Sequence, residues 1–515
     1  MNFERRVGLL ASAAGLIVVV LALRIVYWQM LRADQLLPAW LNPSLLADSS
    51  GRSPGPTDLN GLPQPLLQRS AVLLSEITRG PIYDRNGVLL ASDQPGPDGT
   101  PRRFYAEPSL APVLGYTSAY RTGLAGLELS ENETLLGLDR IDARFDELLH
   151  QPVVGSSLTL TIDSALQRSA DRMLAGKAGA AVVLDAKTGA VLAMASSPHF
   201  DPNQVLDEGY AAGLESACGG APTCSAPFLN RATQALYTPG SIFKTVVLIA
   251  GLDTGQLQPD MVFDFGKPRT GPSGTYYVYN VTGGGTIVDY NHREARLSLA
   301  QSFADSANAA FAKIGDEMPP AVLVQYAERF GFSAQAGKTL PFEIDTSSSQ
   351  LATSVQDLYS NNMLRASTAI GQGQLLTSPL NMAEVVLAVV NGGNLPEPYL
   401  VQRVQDPSGR VIRQHAQQLE HGLMKPETAQ VVQNMMVGVV KNGTGWNAAV
   451  PGLVTGGKTG TAQLGGNAAP HAWFAGFAQG KDRGVVIAVV IENGGEGAYT
   501  AAPIFARLAK QALLP

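Results

Sequence analysis

Cysteine is nearly missing from this chain of 515 residues, which holds only two. A disulfide-dense scaffold and a cysteine-rich metal centre are thereby excluded. Histidine is scarce too. His150, His199, His292, His415, His421 and His471 are scattered without ligand spacing, so no metal site is read and no cofactor is expected. Charge is the third shortage: Asp, Glu, Lys and Arg together reach 16%, against roughly 25% in an average soluble domain. With a net charge of -6 and a pI near 5.6, no basic field exists to condense on phosphate backbones, and no nucleic-acid partner is expected. The 45% hydrophobic content excludes a mainly disordered chain.

What is present divides into about three units at roughly 150 residues each. Val7 to Leu23 (VGLLASAAGLIVVVLAL) is 17 residues without a charge, the short end of a membrane-crossing helix. It continues past Arg24 to Tyr27 and Trp28, aromatics suited to the interface. This segment reads as an uncleaved anchor. The alternative is a cleaved signal peptide, for which Val20-Leu21-Ala22 is a weak cleavage site. Orientation does not follow from charge, since Arg5 and Arg6 are matched by Arg24 and Arg32. From Pro38 to Pro65 six prolines stand among Ser, Gly and Asn, an extended spacer that cannot bury a core.

A small domain follows. In Ile77 to Leu90 the turn chemistry of Asp84-Arg85-Asn86-Gly87 separates two apolar stretches and predicts a hairpin. Thr122 to Leu129 is a second distinct segment, in which Glu128 between apolar residues suits a structural salt bridge. Beyond about Pro152 the texture changes. Leu158 to Ile162 reads as a strand, Asp163 as a helix N-cap, and Ser164 to Leu174 as a helix. Ala180 to Ser196 gives two buried strands around a turn. Val454 to Thr461, Ala472 to Phe477 and Gly484 to Ile491 give three more, before a last helix from Pro503 to Leu513. Strands at both ends with helices between predict an α+β domain whose sheet is closed by distant segments.

The chemistry centres on Thr238-Pro239-Gly240-Ser241-Ile242-Phe243-Lys244, which leads into an apolar helix from Thr245 to Gly251. Ser241 falls on the first helical turn, and Lys244, three residues on, shares its face. A serine hydroxyl becomes a nucleophile when a base takes its proton, and a lysine can be that base when burial or a nearby cation depresses its pKa. The helix start also offers N-H groups to a developing oxyanion.

Two Lys-Thr-Gly runs exist. Lys187-Thr188-Gly189 reads as a plain hairpin turn; Lys458-Thr459-Gly460-Thr461 lies in a strand, where Gly460 would let a substrate backbone come close. Ser-x-N occurs three times. Ser306 and Asn308, in a stretch that reads as helical (Ser302 to Gly315), are favoured over Ser130/Asn132 and Ser360/Asn362. A second hydroxyl can relay a proton to a leaving amine, and an amide can hold a substrate carbonyl.

With these three motifs, most of residues 70 to 515 resembles class B penicillin-binding proteins, the compact penicillin-binding protein A subgroup above all. Arg79-Gly80-Pro81, Gly126-Leu127-Glu128, Leu229-Asn230-Arg231-Ala232, Gly371-Gln372-Gly373, Thr377-Ser378-Pro379-Leu380 and Pro470-His471-Ala472-Trp473-Phe474 carry the resemblance further. It implies an α+β penicillin-binding transpeptidase domain (serine β-lactamase-like) at 156–515. Before it come a mainly β pedestal at 70–155, a spacer at 34–69, and a cytoplasmic tail with membrane helix at 1–33.

The implied activity is a serine D,D-transpeptidase that cross-links peptidoglycan stem peptides outside the cytoplasmic membrane. Ser241 would be acylated, Lys244 would be its base and Ser306 its proton shuttle. Asn308, Lys458, Thr459, Gly460 and Thr461 would bind substrate, and the N-H groups of Ser241 and Thr461 would form the oxyanion hole. Base identity stays open, as it is across the family. β-Lactams would be covalent inhibitors, and a membrane-embedded glycan polymerase and division or elongation proteins the implied partners. A D,D-carboxypeptidase, a β-lactam-sensing or -hydrolysing relative, and an inactive scaffold are the alternatives. Outside the membrane, Cys218 and Cys224 would form a disulfide contributing about 2 kcal/mol. His471 is expected to cap a loop, and Trp446 is a candidate substrate contact.

Overall fold

Strand residues in this chain sort by parity. In β5 (Gly179–Asp185) Ala181 and Val183 point to one core, while Val182 and Leu184 point to another. The alternation is that of a sheet buried on both faces. The structure is a computed structural model describing residues 77–96, 101–117, 123–140, 153–207, 209–210, 213–214, 226–272, 274–333, 342–466 and 468–514. The expected anchor, the spacer, and Cys218 and Cys224 lie outside the described residues. Among those described, no helix is long and apolar enough to cross a membrane.

In chain order the elements that matter are β1 (Ile82–Tyr83), β2 (Leu89–Pro95), β3 (Pro101–Tyr105), β4 (Ser157–Leu160), α1 (Ser164–Leu174), β5, and β6 (Val191–Ser197). Then come α2 (Lys244–Asp253), β7 (Gly274–Asn280), β8 (Thr286–Asp289), α3 (Leu299–Ala304), α4 (Asn308–Glu317) and α5 (Pro379–Val390). The last are β9 (Val401–Gln405), β10 (Val411–Gln414), α6 (Pro426–Asn442), β11 (Val454–Ala462), β12 (His471–Gln479), β13 (Gly484–Ile491) and α7 (Gly497–Leu513).

Five strands form the main sheet in the order β11-β12-β13-β5-β6, antiparallel throughout. Strands from the two ends of the chain meet where β13 pairs with β5, as the sequence pattern predicts. One face takes α1 and α7, with Leu166, Phe505 and Leu508 against Val183, Ile487 and Val489. The other takes α5, buried along its length from Pro379 to Val389. Asp163 caps α1, its Oδ1 accepting from Ala165 N and Leu166 N at 3.0 Å each. Helix α7 starts at Gly497, six residues before the expected Pro503. The packing of Ala501, Ala502 and Phe505 keeps the helix intact across the missing proline N-H.

The second sheet has the order β10-β9-β4-β1-β2-β3. Asp84 Oδ1 closes the β1-β2 hairpin by accepting from Asn86 N and Val88 N, each at 2.8 Å. This sheet crosses the boundary expected near residue 155, since β4, β9 and β10 lie beyond it. Its lower part is also less purely β than the sequence suggests. Gly126–Ser130 and Asn132–Leu136 are short helices that present Glu128 to the buried guanidinium groups of Arg79 (2.5 Å) and Arg103 (2.7 Å). Burial would raise the Glu128 pKa, yet the two arginines hold it below the ordinary carboxylate value.

A carboxyl without such partners behaves in the opposite way. Burial pushes Glu384, in the middle of α5, up to about 8. The folded state therefore binds a proton between pH 4.5 and 8 that the unfolded chain releases, and stability falls as pH rises through that window. Glu384→Gln is expected to be close to neutral at pH 5 and stabilising at pH 8 by up to roughly 4 kcal/mol, read as a melting-temperature difference that grows with pH.

Candidate active site

Helix α2 is apolar around its whole circumference and buried from Lys244 to Gly251, as a central helix must be. A 3-10 turn over Gly240–Phe243 precedes it, so Ser241 stands partly exposed one turn before the wholly buried Lys244. Three segments fix this turn. Tyr237 and Thr377 exchange backbone hydrogen bonds of 2.9 and 2.8 Å, Gly240 N-H donates to Gly371 O at 2.9 Å, and Trp473 Nε1 donates to Thr238 O at 3.1 Å. The glycine-rich and Thr-Ser-Pro segments that resemble the family are thus the wall behind Ser241.

At Gly371, with φ +84°, an added Cβ would stand 1.7 Å from Gly240 O. At Gly460 the added atom would meet Pro239 O at 2.8 Å and Ile242 Cγ2 at 3.1 Å. Gly460 thus permits the close approach of the Pro239–Ile242 turn to β11.

Lys244 Nζ donates to Ser306 O at 2.7 Å, to Asn308 Oδ1 at 2.7 Å and to Ser306 Oγ at 3.3 Å, and lies 5.4 Å from the Phe311 ring centre. The favoured Ser-x-N thus meets the Ser-x-x-Lys through its lysine. Ser306 is not inside a helix, as its surroundings suggested. The stretch breaks between α3 and α4, and Ser306 takes φ +61°, a left-handed conformation that costs a non-glycine residue about 1 kcal/mol. The break turns the Ser306 carbonyl toward Lys244. Ser130 and Asn132 lie among the short helices near Arg79, Asn132 Oδ1 accepting from Arg79 Nη1 at 2.8 Å. Ser360 ends a helix over Val355–Ser360, and Asn361 caps the next. Lys187-Thr188-Gly189 is the β5-β6 turn, held by Asp185 Oδ1.

On β11, Lys458 is fully buried, its Nζ 5.7 Å from the Phe303 ring centre and 3.2 Å from Thr459 O. Burial lowers the Lys244 pKa to about 7, with Asp289 opposing. Lys458 is pushed well below its usual value, first by burial and then by the charge of Lys244, against the pull of Asp305. Thr459 and Thr461, two residues apart, share one face of β11. Thr459 is buried, its hydroxyl 2.6 Å from Thr444 Oγ1, while Thr461 is exposed. Thr444 in turn donates its N-H to Ala304 O at 3.0 Å, tying the end of α6 to that of α3.

The sequence reading missed Asp289 and Asn291, because neither stands in a motif and only the tertiary fold brings them to the site; Thr444 belongs to the Gly443-Thr444-Gly445 segment, which resembles a stretch bordering the cleft in relatives. His471 caps a turn, its Nδ1 accepting from Asn493 N at 3.1 Å. Trp446 is 55% exposed beside Tyr499.

A partly exposed serine backed by a buried lysine near neutrality, with a second hydroxyl on that lysine, is the apparatus of serine acyl transfer. Comparison with known proteins agrees. Residues 179–510 match the penicillin binding protein transpeptidase domain, and the chain belongs to that family. It is 30% identical over 458 residues to the peptidoglycan D,D-transpeptidase PbpA of Mycolicibacterium smegmatis, covering 84% of this chain and 89% of that one. The ceftriaxone acyl-enzyme complex of penicillin-binding protein A from M. tuberculosis superposes with a TM-score of 0.74 at 27% identity, over 86% of this chain and 100% of that one. The D,D-transpeptidase domain of a peptidoglycan glycosyltransferase from Eggerthella lenta gives 0.71 at 33% identity, over 85% and 99%.

Because Gly371 leaves no room for a side chain, Gly371→Ala is expected to displace the Gly240 peptide. The cost is roughly 2 kcal/mol or more, with slowed labelling by a fluorescent penicillin. Thermal melts and labelling rates on the same preparation check both effects.

Proposed function

We propose that this chain, a peptidoglycan D,D-transpeptidase, works through an acyl-enzyme on Ser241. The observation that carries the assignment is the buried Lys244 ammonium held between Ser306 and Asn308. Ser241 Oγ attacks the carbonyl between the two terminal D-alanines of a stem peptide, and its proton passes to neutral Lys244. The tetrahedral oxyanion sits between the N-H groups of Ser241 and Thr461, a placement supported by the contact of the Gly240 turn with Thr461.

Ser306 Oγ, 3.3 Å from Lys244 Nζ, relays the proton to the departing amine, so that the C-N bond breaks and D-alanine leaves. With Asn308 Oδ1 occupied by Lys244, the Asn308 NH2 group is the end left to donate to the substrate. Lys458 and the Thr459 and Thr461 hydroxyls receive the terminal carboxylate. The amine of a neighbouring stem peptide then attacks the ester, forming the cross-link and returning the proton to Ser241. β-Lactams enter by the same first step and stay attached.

The mechanism needs an extracytoplasmic site. On this proposal Val7 to Leu23 is a single-pass anchor and residues 34–69 are a spacer, followed by a pedestal over 70–155 whose sheet is completed by strands from the catalytic body over 156–515. On the same proposal Cys218 and Cys224 are a disulfide pair in that compartment. A membrane-embedded glycan polymerase, with division or elongation proteins, is the proposed partner, supplying the uncross-linked strands.

Four measurements test this. A fluorescent penicillin is expected to label the intact chain stably and to leave Ser241→Ala unlabelled. Rapid loss of label would instead mark a hydrolase. The base must be neutral, and the folded pKa of Lys244 lies near 7, so the acylation rate is expected to fall as pH drops through about 7. In membrane fractions the protein is expected to resist alkaline extraction until residues 1–33 are removed, with both thiols unreactive to maleimide before reduction. Solubility of the full chain or reactive thiols would overturn this topology.

A further inference from the structure

Behind Ser306 stand two side chains that no motif includes. β8 ends at Asp289, a fully buried carboxylate whose Oδ2 accepts the Ala309 N-H at 2.7 Å, one residue past Asn308. Its Oδ1 accepts the Asn291 N-H at 2.9 Å, which fixes the turn leaving β8. Asn291 is exposed, yet its Nδ2 donates to the Ser306 carbonyl at 2.7 Å. That oxygen is the one that receives Lys244 Nζ at 2.7 Å. One turn therefore grips Ser306-Ala307-Asn308 at both ends, the carbonyl of the first residue and the N-H following the last.

The grip has a purpose in backbone terms. Ser306 occupies a left-handed conformation that a residue with a side chain does not adopt unaided. If the segment relaxed, the carbonyl would swing away from Lys244 and carry the Ser306 hydroxyl with it.

We propose that Asp289 and Asn291 are positioning residues for acylation, holding Ser306 in its left-handed conformation so that its carbonyl and hydroxyl stay on Lys244, with Asp289 supplying a buried negative charge behind that lysine. The proposal rests on the assignment of Ser241 and Lys244 made above. The charges around Lys244 are Asp289 from the β8 turn and Lys458 from β11, with Asp305 facing Lys458. Beside Asp289 stands His292, whose Nε2 is 3.3 Å from Asp289 Oδ2 and whose Nδ1 is 2.9 Å from Glu294 O. Glu294 acts on Asp305 from the same loop. Burial raises the Asp289 pKa, but the neighbouring His292, the hydrogen bonds from the Ala309 and Asn291 backbone and the charge of Lys244 hold it below the ordinary value, so it is charged. Its charge opposes the desolvation of Lys244. Loss of that charge lets the Lys244 pKa fall further and moves the acid limb of the acylation profile to lower pH.

The test follows acylation of the full-length protein in detergent by a fluorescent penicillin, at varied penicillin concentration and pH. Asn291→Ala, at an exposed position, is expected to cut the limiting acylation rate ~10-fold and leave the half-saturating concentration within ~2-fold of wild type, because alignment and not binding is lost. Asp289→Asn keeps an oxygen for the Ala309 N-H, and is expected to shift the acid limb downward as well as slow the reaction. The melting temperature of each variant separates misfolding from misalignment. Wild-type rates in Asn291→Ala, or slowing only in proportion to unfolded protein, would overturn the proposal. So would an unmoved pH profile in folded Asp289→Asn. Should Asp289→Asn fail to fold, Asn291→Ala decides. Labelling of a Ser241→Ala control would instead sink the site assignment itself.

Discussion

One ammonium group organises this molecule. Lys244 lies at the start of a helix with no polar face, wholly buried, and a charge so placed must find acceptors or lose its proton. Both happen in part. Two oxygens at 2.7 Å receive it, and burial still lowers its pKa to about 7, where ammonium and amine coexist. The acceptors are not the helix's own. They come from a segment some sixty residues on that has to leave helical geometry to present them, so the break at Ser306 and the apolar character of α2 are two sides of one constraint.

The second lysine extends the same logic. Lys458 is buried on β11, close enough for Lys244 to depress its pKa further, and Asp305 is the charge that opposes this. Like charges side by side in a dry site disfavour full protonation of both. The arrangement favours an incoming carboxylate, whose negative charge would relieve the repulsion. The two lysines are therefore electrostatically linked, the strand that carries Lys458 being held to the Ser241 turn by the close contact at Gly460.

Much of this was legible in the sequence, for physical reasons that differ by element. Continuous apolar runs rich in Val and Ala marked β5, β6 and β13, because strands buried on both faces leave nothing polar to interrupt the run. Asp163 marked the start of α1 through its own capping chemistry. Ser241 and Lys244 were read as a pair because helix geometry fixes what stands three residues away. Ser306 was placed in a helix because Ala-rich flanks carry helical propensity, and the tertiary demand of Lys244 overrides it. Proline marked the wrong start for α7, since packing on the sheet overrode a local cue. Asp289 and Asn291 had no signal at all: their importance lies in contacts across the fold, and neither composition nor spacing records those.

The pairing of β5 with β13 has a temporal consequence. β5 ends at Asp185 and β13 begins at Gly484, so the two edges meet only when nearly the whole chain has been made. The β5-β6 hairpin can close early, but the outer edge of β5 and the apolar rows of Ala181 and Val183 must wait for the last segments to arrive. For a polypeptide emerging from its N-terminus first, that is a long interval with a strand edge unpaired, the condition in which edge-to-edge aggregation competes with folding. Ser241 itself shares that delay, because the strand against which its turn packs belongs to the same late segment. The Ser241 turn is therefore without its packing partner until β11 has been made and docks.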